Sequence, residues 1–340
     1  MIQTSRVLSN KQKIETMMRA LICKEWGSFE NLVLGTMPTP IPQADELLIA
    51  VHASAVNYAD SIMIAGKYQT KPALPFVPGL ETAGVVLECG AQVTQFSPGQ
   101  RVMATVTYGA LAEFVTATEN ETIAIPDRMS FEHAGAFPIS YLSSHVALRW
   151  EGRLEPGETL LVLGASGGVG LTAVEIGKAM GARVIAAAST DEKLAITRTH
   201  GADDTINYTT ENLTERVMAL TKGKGADVCF DPVGGPLFDS ALSAVGWGGR
   251  ILLVGFVAGV QQISANRLLV KNRAAMGSSL RHFRQNVPEK YRQSVKQLLA
   301  WYQEGKLIPC VSHTLPLERG IEAIRLLTER KAYGKVVVLL

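Results

Sequence analysis

The chain has only four cysteines in 340 residues, Cys23, Cys89, Cys229 and Cys310, and no two of them are close in sequence. That spacing excludes a disulfide framework and the paired thiols of a structural zinc site, and it fits a reducing compartment, expected here to be the cytoplasm. Long apolar runs are missing too: none reaches the roughly 18 residues that span a bilayer, so no membrane partner is expected. Neither sign of charge is in excess, with 33 Lys and Arg against 31 Asp and Glu and a formal net charge of +2. That balance gives no support to a nucleic-acid binder. With 47% hydrophobic and 19% charged residues the chain is not disordered, and its length allows two domains. Residues 1–17 are polar and basic (Arg6, Lys11, Lys13) with no apolar core, and read as a flexible extension, not a secretory signal.

What is present is a glycine-rich turn. The apolar run Leu160–Leu163 leads into Gly164-Ala165-Ser166-Gly167-Gly168-Val169-Gly170, and an apolar-periodic helix follows to about Met180. A strand, a tight turn and a helix start present unpaired backbone N–H groups and a partial positive charge, the geometry that holds a pyrophosphate. Against G-x-G-x-x-G, Ala165 replaces the first glycine while Gly167 and Gly170 hold the other two. Ser166, Gly167, Gly168, Val169 and Gly170 are therefore the candidate cradle.

The next strand candidate, Gly181–Ser189, lacks the acid expected at its end for the ribose 2′-OH of NADH. It ends Ala188-Ser189-Thr190 with Lys193 beyond, while Asp191 and Glu192 fall in the first turn of the next helix. A hydroxyl and an ammonium accept a 2′-phosphate that a carboxylate would repel, so the cofactor expected is NADPH. The competing reading is an ordinary solvated helix start.

Further strands are expected at Thr205–Tyr208, Asp227–Asp231, Arg250–Gly255 and Ala274–Ser278. Helices are expected between them near Lys193–His200, Asn212–Thr221 and Leu237–Val245. This alternation predicts a doubly wound parallel sheet, an α/β Rossmann fold. Gly255 and Phe256 fall at a strand's carboxyl edge, where Phe256 either walls a nicotinamide pocket or belongs to the core.

Residues 20–145 differ. Short strands (Leu47–Val51, Ala83–Cys89, Arg101–Val106, Leu111–Thr116) are punctuated by Pro and Gly and predict a β-rich lobe. An amphipathic helix through Tyr291–Tyr302 and a final apolar strand, Gly334–Leu340, are read as returning to it. The expected division is 18–145 with 280–340 as the catalytic domain and 146–279 as the nucleotide domain, with the cofactor in the cleft between them.

Several segments carry a resemblance: Val56-Asn57-Tyr58-Ala59-Asp60 with Gly66-Lys67-Tyr68, Pro75–Gly84, Gly109–Phe114, the glycine turn, Ala226–Gly235, Gly248–Phe256 and Arg330–Val337. In this order they resemble the medium-chain dehydrogenase/reductase superfamily, specifically its zinc-independent quinone oxidoreductase branch, over essentially everything after residue 17. The resemblance implies a GroES-like catalytic domain beside the Rossmann domain and a homodimer. It implies Asn57 beside the nicotinamide ribose, Tyr68 lining the acceptor pocket as proton donor or orienter, a hydroxyl at Ser143, and Tyr208, Lys193 and Lys331 around the 2′-phosphate. Zinc-dependent members carry Cys and His where Asn57 and Leu80 stand, and an amide with a leucine makes no zinc site.

The activity implied is direct hydride transfer from NADPH to a quinone or similar electron-poor small molecule. A reductase of enones or enoyl thioesters is the alternative, and a non-enzymatic nucleotide- or RNA-binding protein a remote one. His145 stands where many members have a tyrosine, and reads either as a proton relay or as a structural helix residue.

Overall fold

The structure, a computed structural model, describes residues 16–340. The expected extension over 1–17 thus lies outside the described residues up to residue 15, and Met17 already opens a strand. The first part of the chain forms β1 (Met17–Ile22), β2 (Val33–Pro38), β3 (Glu46–Ala55), α1 (Tyr58–Ile64), β4 (Glu81–Cys89), β5 (Arg101–Thr105), β6 (Phe114–Thr118) and β7 (Thr122–Ala124). Helices α2 (Phe131–Gly135) and α3 (Pro138–His145) follow, and α3 continues as a π-helical segment over Val146–Glu151.

The middle alternates β8 (Thr159–Leu163), α4 (Gly168–Ala179), β9 (Arg183–Ala188), α5 (Asp191–Thr199), β10 (Asp204–Asn207) and α6 (Leu213–Leu220). It continues through β11 (Ala226–Asp231), α7 (Pro236–Ala244), β12 (Val245–Leu253), α8 (Ala265–Leu269) and β13 (Ala274–Gly277). The last part is α9 (Leu280–Asn286), α10 (Pro288–Gln303), β14 (Val311–Pro316), α11 (Gly320–Thr328) and β15 (Lys335–Leu339).

The middle strands form one parallel sheet in the order β10-β9-β8-β11-β12-β13. Its strands are apolar on both faces because both are covered. Leu160 and Val162 of β8 pack with Ala173, Val174 and Ile176 of α4, while Leu161 and Leu163 pack with Ile206, Val217 and Phe238. The chain order reverses between β8 and β11, and the crevice beyond their carboxyl ends is where such a sheet binds its ligand. The architecture is the α/β one expected, a Rossmann-type doubly wound sheet beside a β-rich part.

The other main sheet runs β14-β15-β3-β4-β5-β7, with β6 also on β3. Its last strand, β15, pairs antiparallel with β3, Val337 opposite Ala55, so the chain's end does return to its beginning. One core cluster joins both sheets, with Ala83 and Met103 on one side, Leu160 and Val162 on the other, and Phe137 and Tyr141 of α2–α3 between them.

Two boundaries differ from expectation. The apolar stretch expected as Leu111–Thr116 becomes a strand only at Phe114, because Leu111 and Ala112 are engaged by β1, with the Leu21 N–H donating to the Leu111 carbonyl (2.9 Å) and Ala112 bridging Ala20. Strand β12 begins at Val245 and stops at Leu253, leaving Gly255 and Phe256 in the loop beyond it. No helix among the described residues is long and apolar enough to cross a membrane.

Candidate active site

The glycine turn is fixed from within and from the far end of the chain. Gly164 takes a left-handed conformation (φ 54°) that suits glycine, and the Gly167 N–H donates back to its carbonyl (2.9 Å). A Cβ on Gly170 would overlap the Gly164 carbonyl, so α4 approaches the turn this closely only with glycine there. Helix α4 then starts at Gly168, and its first N–H groups have no partner within the helix. From the chain's end, the Gly334 N–H donates to the Ser166 carbonyl (2.8 Å). Ser166 is buried, and Val169 is half-buried against the core.

Beside the turn lies a buried polar network. The Lys335 side chain crosses Gly168, where an added Cβ would meet its Cδ at 3.0 Å. Its Nζ donates to Asn57 Oδ1 (2.7 Å), Glu81 Oε1 (2.8 Å) and the Val56 carbonyl (3.2 Å). Glu81 is 0% exposed and also accepts from Asn57 Nδ2 (2.9 Å) and the Ile139 N–H (2.8 Å). Asn57 is the N-cap of α1, its own N–H donating to Asp60 Oδ2 (2.7 Å). Burial pushes the Asp60 carboxyl up to about 7, opposed first by the Asn57 N–H and then by Lys335, and its Oδ1 has no hydrogen-bond partner among the described residues. Tyr68, on the loop after α1, is half-buried. Burial raises its phenol above the ordinary value, Arg281 pulling it down and Asp60 adding to the rise, so it holds its proton at neutral pH.

A second group gathers where β9 and β10 end. The Tyr208 N–H donates to the Ala188 carbonyl (3.2 Å), and Thr209 Oγ1 to the Ser189 carbonyl (2.8 Å). Thr190 caps α5 by accepting from the Lys193 N–H (3.3 Å), while Lys193 Nζ reaches the Arg330 carbonyl (3.1 Å). Ser189, Lys193, Tyr208 and the 330–331 segment therefore share one corner, although the Lys331 ammonium pairs with Glu329 (2.6 Å) and is exposed. Asp191 and Glu192 stand in the first turn of α5, where carboxylates complement the helix dipole, and Asp191 Oδ1 accepts from Asn207 Nδ2 (3.0 Å).

On the β11–β12 side of the crevice, buried Asp231 organises the loops. Its Oδ1 accepts from the Val233 and Gly234 N–H groups (2.8 Å each), and its Oδ2 from Gln261 Nε2 (3.0 Å). Gln261 also holds the Gly255 carbonyl (2.7 Å). Phe256 is 53% exposed and lies outside every core cluster, so its core reading gives way.

On α3, Ser143 is half-buried, but it is Ser144 that bonds to α4, through the Val169 carbonyl and Thr172 Oγ1 (2.8 Å each). His145 is buried against α10, with Nδ1 on Ser294 Oγ (3.0 Å) and its ring edge-on to Trp301. Burial, with Arg149 adding to it, lowers it to about 4, so it is a neutral packing residue and not a proton relay.

The structure brings Asn57 and Gly168 against one lysine side chain, with Ser166 held by the preceding residue, Gly334. It gathers Ser189, Lys193 and Tyr208 at a separate corner. Sequence reasoning assigned no role to Lys335, Asp60, Asp231 or Glu81. A signal was present, since a lone charge opening an apolar strand (Glu81 of β4, Lys335 of β15) has to find a buried partner. Zinc does not fit: Asn57 is committed through both amide atoms, Leu80 has no donor, and no group of three His, Cys, Asp or Glu able to hold a metal occurs among the described residues.

The chain is similar to known proteins over most of its described length. A family described as "Zinc-binding dehydrogenase" matches residues 168–301, and one described as "Alcohol dehydrogenase GroES-like domain" matches residues 43–127. A quinone oxidoreductase-like protein 2 homolog of Nematostella vectensis is 39% identical over 94% of this chain and 88% of its own. A mycobacterial protein solved in complex with NADPH superposes with a TM-score of 0.90 at 32% identity, covering 95% of this chain and 100% of that one. The CurK enoyl reductase superposes with a TM-score of 0.86 at 26% identity, covering 96% and 99%. The chain is an oxidoreductase-type polypeptide with a GroES-like and a Rossmann-like part, and it belongs to the quinone oxidoreductase branch of the medium-chain dehydrogenase/reductase superfamily.

Proposed function

We propose that the chain is a zinc-independent reductase that passes a hydride from NADPH to a quinone or similar electron-poor small molecule. The observation that carries this is the corner at Ser189, Lys193 and Tyr208, where no carboxylate ends β9 and an ammonium stands beside the turn into α5. When bound, NADPH supplies the hydride. The first N–H groups of α4, with Gly167 and Gly168, receive its pyrophosphate. Asn57, fixed through both amide atoms, presents a rigid edge to the nicotinamide ribose, with Ser143 on α3, Gly255 and Phe256 bordering the same cleft. Tyr68 keeps its proton for the acceptor oxygen that gains charge. In this reading residues 146–279 hold the dinucleotide, and 18–145 with 280–340 hold the acceptor.

Reduction of an enone or enoyl thioester is the second reading. Arg281, whose guanidinium donates to Thr70 Oγ1 (2.6 Å) and acts on Tyr68, is a charge at the acceptor side that the phosphates of a coenzyme A thioester would use. Arg284 does not add to it, being paired with Glu121 (3.0 Å). No nucleic-acid partner enters the proposal; a cytoplasmic location does, carried by the four free thiols. So does a homodimer, carried by the open edge of the parallel sheet at β13.

The test follows nicotinamide absorbance with NADPH or NADH against a benzoquinone, a polycyclic quinone, an enone and crotonyl thioester. NADPH-selective turnover of quinones is expected, with Tyr68→Phe lowering kcat roughly a hundredfold and leaving the NADPH KM in place. Thioester turnover without quinone turnover would move the assignment to the second reading, and a preference for NADH would overturn the role given to Lys193.

A further inference from the structure

Helix α4 begins at the glycine turn, and about two helical turns further on it carries Glu175, the one charge in its buried stretch Gly170–Gly177. The hydride chemistry does not use this side chain. A carboxylate can only accept, so each polar neighbour has to donate to it. Its Oε2 takes the Tyr141 hydroxyl of α3 (2.5 Å), and its Oε1 takes His200 Nδ1 (2.6 Å) and the Ile308 N–H (3.2 Å). Three segments far apart in sequence therefore converge on one buried group.

Each of those segments leads to a part of the dinucleotide site. Tyr141 lies on α3 with Ser143. His200 is the C-cap of α5, whose first turn carries Lys193. Helices α4 and α5 thus each present a phosphate partner at the N-terminal end and one half of the Glu175–His200 pair about two turns later. Ile308 leads to Cys310, whose carbonyl accepts the Lys335 N–H (2.8 Å), while the Gly334 N–H donates to the Ser166 carbonyl (2.8 Å). Gly334 packs so closely on Cys310 that an added Cβ would overlap the Cys310 carbonyl.

The path closes on the helix it left. It runs from Glu175 through Ile308, Cys310 and Gly334 back to Ser166, and to Gly168, which the Lys335 side chain crosses. The cavity between these residues is about 10 Å³, no more than a water needs, so the ring has little space to slacken into.

We propose that Glu175 is a positioning residue for NADPH, fixing the glycine turn, the Lys193 corner and the Gly334–Lys335 segment at the spacing that the dinucleotide spans. The proposal rests on the NADPH reading above. Without the carboxylate the three segments lose their common anchor, and NADPH has to order them when it binds, which lowers affinity. Once NADPH is in place the arrangement is restored, and the hydride step is unchanged.

The experiment compares full-length wild type, Glu175→Gln and Glu175→Leu by NADPH titration, by steady-state kinetics with a benzoquinone and by hydrogen exchange read with mass spectrometry. Glutamine still accepts from His200 and Ile308 while its amide group faces the Tyr141 hydroxyl, so its NADPH affinity is expected within about threefold of wild type. Leucine accepts nothing and is expected to weaken NADPH binding roughly tenfold. At saturating NADPH, kcat and the quinone KM are expected to stay within about twofold of wild type for both. A Glu175→Leu chain that is less stable but binds NADPH as tightly as wild type would make the cluster a brace for the fold alone and overturn the proposal. A loss of kcat with affinity kept overturns it too. In wild type, NADPH is expected to slow exchange over residues 308–310 as well as at the glycine turn. Slowing at the turn alone overturns the proposal, and that comparison needs no variant to fold. NADPH that slows exchange nowhere in wild type counts against the NADPH reading, so the two failures are told apart. Without cofactor, Glu175→Leu is expected to exchange faster than wild type at Gly334–Lys335, and unchanged exchange there would break the path from Glu175 to the turn.

Discussion

The Lys335 ammonium spends all three of its donors inside the protein, on Asn57, Glu81 and the Val56 carbonyl, so it has none left for a cofactor. It is a positioning residue that holds Asn57 and neutralises a fully buried carboxylate. Removing one member of such a pair leaves the other charge stranded, at a cost of about 3–5 kcal/mol, whereas removing both is far milder. Lys335→Met is therefore expected to lower the urea midpoint strongly, and Lys335→Met with Glu81→Gln to recover much of the loss. Equal destabilisation by the single and double variants would show that the pair is not what Lys335 serves. At this scale the sequence was legible where a residue's place is local: the turn glycines, and Lys193 beyond β9. The Lys335–Glu81 contact was not, because its partners are 254 positions apart and each looks locally like a stray charge in an apolar strand.

At the scale of elements, α3 carries the contact between the two parts of the molecule. Its Ser144 bonds to α4 and its His145 to α10. The His145 imidazole is held neutral down to about 4 against an ordinary 6.5, so the folded state refuses a proton that the unfolded chain accepts. For a base lowered in this way, stability is whole above about 6.5 and is lost as pH falls toward about 4. The loss integrates to about 3 kcal/mol. His145→Gln keeps a polar partner for Ser294 and has no such proton, so its stability between pH 6.5 and 4 is expected to fall less than that of wild type in urea titrations. Parallel acid limbs for the two proteins would remove His145 from the account. The parallel strands were legible to within a few residues because burial on both faces writes a continuous apolar run bounded by turns. Strand β6 was misplaced since Leu111 and Ala112, equally apolar, spend their backbone on β1, a tertiary pairing that periodicity does not encode.

At the scale of the whole molecule, the last strand, β15, returns to β3 of the first part in one sheet, and the nucleotide-type sheet is threaded between them. This nesting was readable because the apolar final strand had no partner nearby in sequence. The open edge of the parallel sheet was less readable, since edge and centre look alike until strands are ordered. β13 forms that edge, four residues long and, among the described residues, without a strand partner on its outer side. Near it, Leu269 and Val270 are each 77% exposed and Trp247 is 75% exposed, more apolar surface than a chain with this charge balance needs to leave in water. An unpaired edge flanked by apolar side chains suits a twofold partner that continues the sheet and covers them. Light scattering behind a sizing column is expected to give twice the chain mass for wild type. Leu269→Lys with Val270→Lys is expected to give one chain mass, with NADPH affinity kept because neither residue lies at the glycine turn. A double variant that remains a dimer would move the interface elsewhere, and a monomeric wild type would leave these side chains needing another cover.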